Sequence, residues 1–378
     1  MKQTKNPTVM TNLIKCYLHK DRFDESLSDE QIKEVYALAS KHDVAHLIGI
    51  VLESAHPEER EKYAPFLAEG KKALFRFAKQ DLERQSIYAQ FEEAKIEYIP
   101  MKGSVIRDLY HKPWHRTSCD IDILVREEKL DQAVAVLEKN LRYVVEKKSE
   151  HDVSLWTPGG VHLELHYDVH EPHVSVNELW DSAEPVRPGE MQCLLSAEMF
   201  ILHHIAHMAK HFKYGGCGLR PFVDLWVIKE KMDYDRQKLA ALLEEKHLKL
   251  FSDIMFELVE VWFGDAAASP VAVAAAEYIL PAGAYGSMGN RVAIGQLGTN
   301  GKLGYFLARM FPAYEELQYP YPILKKHRWL LPFCHIHRWG NLIVTGKLGR
   351  ISHELKINSG MDADYRNEID ALIRRLDL

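Results

Sequence analysis

The chain has 378 residues, a length that at roughly 100 to 200 residues per domain gives two or three domains. Hydrophobic residues make up 47% and charged residues 27%, which excludes disordered, collagen-like and disulfide-scaffold proteins. The net charge of -6 argues against bulk DNA binding and confines any basic site to a local patch. The five cysteines show no C-x-x-C spacing, and no stretch approaches about 18 apolar residues, so a cytoplasmic protein without secretion or membrane contact is expected.

Residues 1–94 read as a helical region. Ser28-Asp29-Glu30-Gln31 has the form of a capping box, and Ile32, Val35, Tyr36 and Ala39 follow at helical spacing. Leu74, Phe77, Ala78 and Leu82 form a second stripe, continuing through Ile87 and Phe91, that is expected to be core. Residues 95–175 change texture. IEYIP predicts a strand, Lys102-Gly103-Ser104 a tight turn, and VIRDLY a short helix. In CDIDILV the alternation puts Asp120 and Asp122 on one strand face and Ile121 and Ile123 on the other. A helix from Glu127 to about Asn140 precedes three more strands, RYVVEKK, DVSLW and VHLELHYDV, the last two joined by the turn Thr157-Pro158-Gly159-Gly160. Residues 176–378 read as a larger helical region. Its glycines at 283, 286, 289, 295, 298, 301 and 304 predict a mobile loop over 281–304.

Asp120 and Asp122 on one face, with Glu164 mid-strand downstream, predict three converging carboxylates. Such a set repels itself unless hard cations neutralise it, which suits Mg2+ or Mn2+. Two such ions roughly 3.5–4 Å apart clamp the entering and leaving oxygens of a phosphoryl displacement. Gly103 and Ser104, at a strand-to-helix turn, offer backbone N–H groups and a hydroxyl to phosphates, with Lys102, Arg107 and Arg116 as nearby cations. No G-x-x-x-x-G-K-[ST] occurs, so an ordinary P-loop ATPase is excluded.

Gly103-Ser104, Asp120-x-Asp122 and Glu164, in that order and in those strand contexts, resemble the signature of the DNA-polymerase-β-like nucleotidyltransferase superfamily. More narrowly, MKGSVIRDLYHKPWHRTSCDIDILV with VHLELHYDV, and later HHIAHMAKHF, LRPFVDLWVI and YPYPILKKHRWLLPF, are similar to a bacterial group of uncharacterised nucleotidyltransferases. The resemblance implies an α+β protein: a small mixed-sheet catalytic domain, 95–175, flanked by N-terminal and C-terminal helical regions. It implies transfer of a nucleoside monophosphate from a nucleoside triphosphate to an acceptor hydroxyl, with release of pyrophosphate. Asp120, Asp122 and Glu164 are then the catalytic and metal-binding carboxylates, and Lys102, Gly103, Ser104 and Arg116 hold the nucleotide. The interval from Gly103 to Asp120 is longer than in many antibiotic-modifying relatives, which loosens the carry-over to Arg116. The acceptor is open: a small molecule, peptide, protein or RNA end.

The helix carrying His203, His204, His207 and His211 puts three of these at four-residue spacing. The Glu of H-E-x-x-H is absent, so a solvated or hydrogen-bonded face outweighs a zinc site. His166, His203, His207, Arg220 and Asp224 are candidates for an acceptor or base pocket. A metal-dependent phosphohydrolase using His151-Asp152 with His203, His207 and Asp224 is a competing reading, and a silent nucleotide-binding partner a third. Finally, no acid occurs from Gln318 to His353, while Lys325, Lys326, Arg328, Arg338, Lys347 and Arg350 give +6 and leave -12 for the rest. Tyr319, Tyr321, Trp329, Phe333 and Trp339 interleave with them. This segment either receives a polyanionic acceptor or packs as a basic helical face, and the second reading makes its Pro and Trp residues packing anchors.

Overall fold

The computed structural model describes residues 5–169, 171–318, 320–346 and 348–378. Its N-terminal helices are Lys5–His19, Asp29–Lys41, Ala45–Ala55 and Ala64–Ala94. Ser28 caps the second as expected: its hydroxyl accepts from Gln31 N, and the Gln31 side chain accepts from Ser28 N. The stripe expected to be core in the long helix Ala64–Ala94 is so only at its end. Ile87 and Phe91 are buried, whereas Leu74, Ala78 and Leu82 face solvent. The buried line runs instead through Phe66, Ala73, Gln80 and Ile87 at seven-residue spacing, and the buried Gln80 amide donates to Ser118 O.

Five strands form one mixed sheet: β1 (Tyr98–Pro100), β2 (Asp120–Val125), β3 (Val144–Lys148), β4 (Asp152–Trp156) and β5 (His162–His166). Their order is β1-β2-β5-β4-β3, with β2 and β5 parallel and every other pair antiparallel. Alternation then gives the sheet two unlike faces. Ile121, Ile123, Val125, Val153, Leu155, Leu163 and Leu165 pack against Ile87 and Phe91 and against Leu130, Ala133 and Leu137 of the helix Leu130–Leu141. Asp120, Asp122, Glu164 and His166 point the other way. This α+β architecture, a small mixed sheet flanked by helical regions, is the expected fold class.

A second and larger core joins the two helical regions. Leu13, Ile14, Leu47 and Ile48 from the N-terminal helices share it with Ile205, Phe212, Phe222, Phe251 and Leu258 from the C-terminal ones. The helices thus close around the polar face of the sheet. No helix among the described residues is long and apolar enough to cross a membrane.

The loop expected over 281–304 is instead a helix, Met288–Gly298, followed by the start of another, Lys302–Met310. Ser287 caps the first by accepting from Asn290 N. Glycine serves here for close packing rather than freedom: the Tyr305 ring lies where a side chain on Gly295 would go. Gly283, Gly286 and Gly301 mark the turns, at φ 105°, 73° and 95°. In the basic segment, Tyr319 and Lys347 lie outside the described residues. Of the expected packing anchors, Trp329 and Pro332 are exposed and Trp339 is half-buried.

Candidate active site

Parallel pairing of β2 with β5 sets Asp120 opposite His162, Asp122 opposite Glu164 and Leu124 opposite His166. The carboxylates predicted from two separate strands therefore meet on one face. Two groups bring a ligand atom from each member within 4.8 Å of the others: Asp120, His162 and Glu164, and Asp122, Glu164 and His166. Neither involves Asp152, His203, His207 or Asp224, so the donor set of the competing phosphohydrolase does not assemble among the described residues.

Lys102 reaches across from the turn after β1 and donates to Asp122 Oδ1 at 2.8 Å, while His166 Nε2 donates to the same oxygen at 3.0 Å. Burial opposes a charge on Asp122, but Lys102 and His166 outweigh it and hold the carboxyl well below its usual range. Glu164 has the opposite fate: burial and the charges of Asp122 and Asp120 push it up to about 7. Burial likewise opposes the Lys102 ammonium, and Asp122, Glu164 and Asp120 more than offset it. Three carboxylates facing a single ammonium form an acidic, oxygen-rich donor set that fits a hard divalent cation.

The turn itself is unusual. Ser104 N donates to Met101 O at 3.0 Å, closing a β-turn whose second residue, Lys102, has φ 46° and ψ -117°. A Cβ on Gly103 would lie 2.5 Å from Arg116 Nη1, so glycine is required because a guanidinium lies against it. Arg107 Nε donates to Gly103 O at 2.9 Å and ties the turn from the other side.

Of the expected nucleotide contacts, Lys102, Gly103 and Arg116 line the cleft beside the carboxylates, and Ser104 does not. Arg116 is turned to Asp224, donating from Nη2 to Oδ2 at 2.9 Å and from Nε to Oδ1 at 3.2 Å. Tyr110 adds its hydroxyl to Oδ1 at 2.7 Å. The pair is buried yet both residues line the cleft, and the Arg116 guanidinium lies against Gly103. Ser104 is buried and lies outside the cleft lining. The hydroxyl beside the carboxylates is that of Ser118, which donates to Asp120 Oδ1 at 3.0 Å. His166, expected in an acceptor pocket, hydrogen-bonds Asp122.

A cleft of about 330 Å3 opens over these groups, lined on one side by Lys102, Gly103, Asp120, Asp122 and Glu164 and on the other by His203, His207, Arg220 and Tyr285. The histidine helix, Ala197–Lys213, forms that second wall. Glu171, which no pattern in the sequence singles out, organises it. His207 Nδ1 donates to Glu171 Oε1 at 2.9 Å, and His211 Nε2 meets His207 Nε2 at 3.0 Å. Burial lowers His203 and His211 to about 4, so these rings are neutral at physiological pH. The buried nitrogens His203 Nε2, His204 Nε2 and Arg220 Nε have no hydrogen-bond partner.

A carboxylate cluster on the open face of a small mixed sheet, walled by helices, is the arrangement of a nucleotidyltransferase. Residues 28–264 match the family described as uncharacterised nucleotidyltransferase, and the chain belongs to that family. The solution structure of the antibiotic-resistance factor ANT(2'')-Ia aligns with 45% of this chain and 92% of its own, at 15% identity and a TM-score of 0.36. That likeness is too slight to speak to substrate. No curated protein matches the chain.

Proposed function

We propose that the chain transfers a nucleoside monophosphate from a nucleoside triphosphate to an acceptor hydroxyl. The acceptor oxygen forms a bond to the α-phosphorus as the bond to the β-phosphate oxygen breaks, and pyrophosphate leaves. The observation that carries this reading is the register of β2 and β5, which brings Asp120, Asp122 and Glu164 together beside the Lys102-Gly103 turn.

Asp120 and Asp122 would hold Mg2+ or Mn2+, with Glu164 completing the carboxylate set, and the ion would supply positive charge against the charge that develops on the phosphoryl oxygens. Lys102 exchanges its contact with Asp122 for the triphosphate, whose phosphates lie along the backbone of Gly103. Glu164, poised at about 7, takes the proton of the acceptor hydroxyl. Ser118 and His166 keep Asp120 and Asp122 in place.

The test is pyrophosphate release and nucleotide binding with ATP, CTP, GTP and UTP, each with Mg2+ or Mn2+, for the wild type and for Asp120→Asn/Asp122→Asn. Metal-dependent triphosphate binding that the double variant loses supports the site, and the preferred base narrows the acceptor search. Failure of every triphosphate to bind refutes it.

A further inference from the structure

Gly286 N donates to Gly283 O at 3.0 Å, closing a β-turn whose central residues are Ala284 and Tyr285. The turn is fastened on both sides. Ala284 N donates to Lys41 O at 2.7 Å, and Ser287 N donates to Gly215 O at 2.9 Å. It also sits close against the segment that follows the histidine helix: a Cβ on Gly218 would lie 2.6 Å from Ala284 Cα, and one on Gly286 would run into the backbone of Gly215. Bracing of this kind commonly seats a core residue, yet Tyr285 is 68% exposed. It lines the carboxylate cleft, and among the described lining residues it is the one Phe, Tyr or Trp. The packing therefore holds an aromatic ring in solvent at the edge of the site. An exposed ring fixed in one place is a surface for a planar group.

Position says which planar group. The Tyr285 hydroxyl lies 3.7 Å from Cys119 Sγ, just before β2. A Cβ on Gly103 would lie 3.5 Å from Ser118 Oγ, so the turn assigned to the phosphates adjoins the same stretch of chain. Turn and ring thus sit together at the Ser118-Cys119 end of β2. Glu164, where the acceptor hydroxyl gives up its proton, sits across on β5 opposite Asp122. The ring stands on the nucleotide's side of the cleft.

We propose that Tyr285 is the stacking platform for the base of the bound nucleoside triphosphate, a role that rests on the nucleotidyl-transfer reading above. Stacking requires only a π face, which all four bases have. The ring therefore favours nucleotides over bare polyphosphate and leaves the choice among bases to other groups.

The experiment titrates the full chain, in Mg2+, with ATP, CTP, GTP and UTP and with inorganic tripolyphosphate, which has the phosphates and no base. The wild type is expected to bind its preferred triphosphate about tenfold or more tighter than tripolyphosphate. Tyr285→Leu keeps an apolar side chain without a ring; it is expected to weaken every triphosphate that binds by about tenfold or more and to leave tripolyphosphate unchanged. Tyr285→Phe is expected to bind as the wild type does. The side chain is exposed, so all three proteins keep the same circular dichroism. Equal wild-type affinity for triphosphate and tripolyphosphate, a Tyr285→Leu variant that loses nothing, or one that loses tripolyphosphate as well, overturns the stacking role while the carboxylate site stands. A Tyr285→Phe variant as weak as Tyr285→Leu also overturns it, because the hydroxyl is then the contact. Failure of every triphosphate and of tripolyphosphate to bind overturns the transfer reading itself, and this role with it.

Discussion

Asp224 sits 108 residues from Arg116 in the sequence, and replacing it tests how the turn at Lys102-Gly103 is supported. Asp224 is 0% and Arg116 8% exposed, and two hydrogen bonds join them, with a third from Tyr110. Burial alone would favour a neutral Asp224, but Arg116 outweighs it and keeps the carboxyl below its usual range. In Asp224→Ala the guanidinium stays buried without its counter-ion, a loss of about 3–5 kcal/mol, and the Tyr110 hydroxyl loses its acceptor, about 1 kcal/mol more. Arg116→Met strands the carboxylate and costs a similar amount. The double variant Arg116→Met/Asp224→Leu removes both charges and fills the space, so most of the loss returns. Urea unfolding followed by circular dichroism gives the three values. A cost below about 1 kcal/mol for Asp224→Ala, or a double variant as unstable as the two singles summed, would refute the reasoning.

The folded chain holds a proton on Glu164 up to about pH 7, whereas an ordinary glutamate releases it near 4.5. Stability therefore falls as pH rises through that window, and Glu164→Gln gains up to about 3 kcal/mol above it. Melting curves of both proteins at the two ends of the window check this, and an equal gain at both ends contradicts it. Gly103→Ala sets a methyl against Arg116 Nη1 and is expected to cost about 1–3 kcal/mol and to weaken triphosphate binding, measured by melting and nucleotide titration. Lys102→Met removes the ammonium that competes for Asp122. Triphosphate binding should weaken about tenfold while divalent binding to the nucleotide-free protein tightens; calorimetric titrations that move in the same direction would count against it.

What was legible in the sequence was local. Period-two alternation announced the faces of β2 and β5, so Asp120, Asp122 and Glu164 could be found one strand at a time. That β2 and β5 are neighbours, and in which register, is a matter of long-range pairing that no local pattern encodes. The same limit hid the partner of Arg116 and the role of Glu171, which lies just beyond β5 and acquires its meaning from a helix more than thirty residues later. Glycine content misled over 281–304, where tertiary packing around Tyr305 and the cap at Ser287 override propensity. The aromatic and basic residues over 329–344 were visible, but burial could not be told from exposure by spacing alone.

The turn at Met101–Ser104 carries one more consequence. Its second position, with φ 46°, is one that glycine adopts freely and a side-chain-bearing residue occupies only at about 1–3 kcal/mol of strain. The backbone there favours glycine, yet the chain has lysine. Conformational ease and an ammonium beside Asp122 thus compete for a single position. Lys102→Gly would relax the backbone and remove the ammonium that contacts Asp122, a sturdier fold with a poorer site.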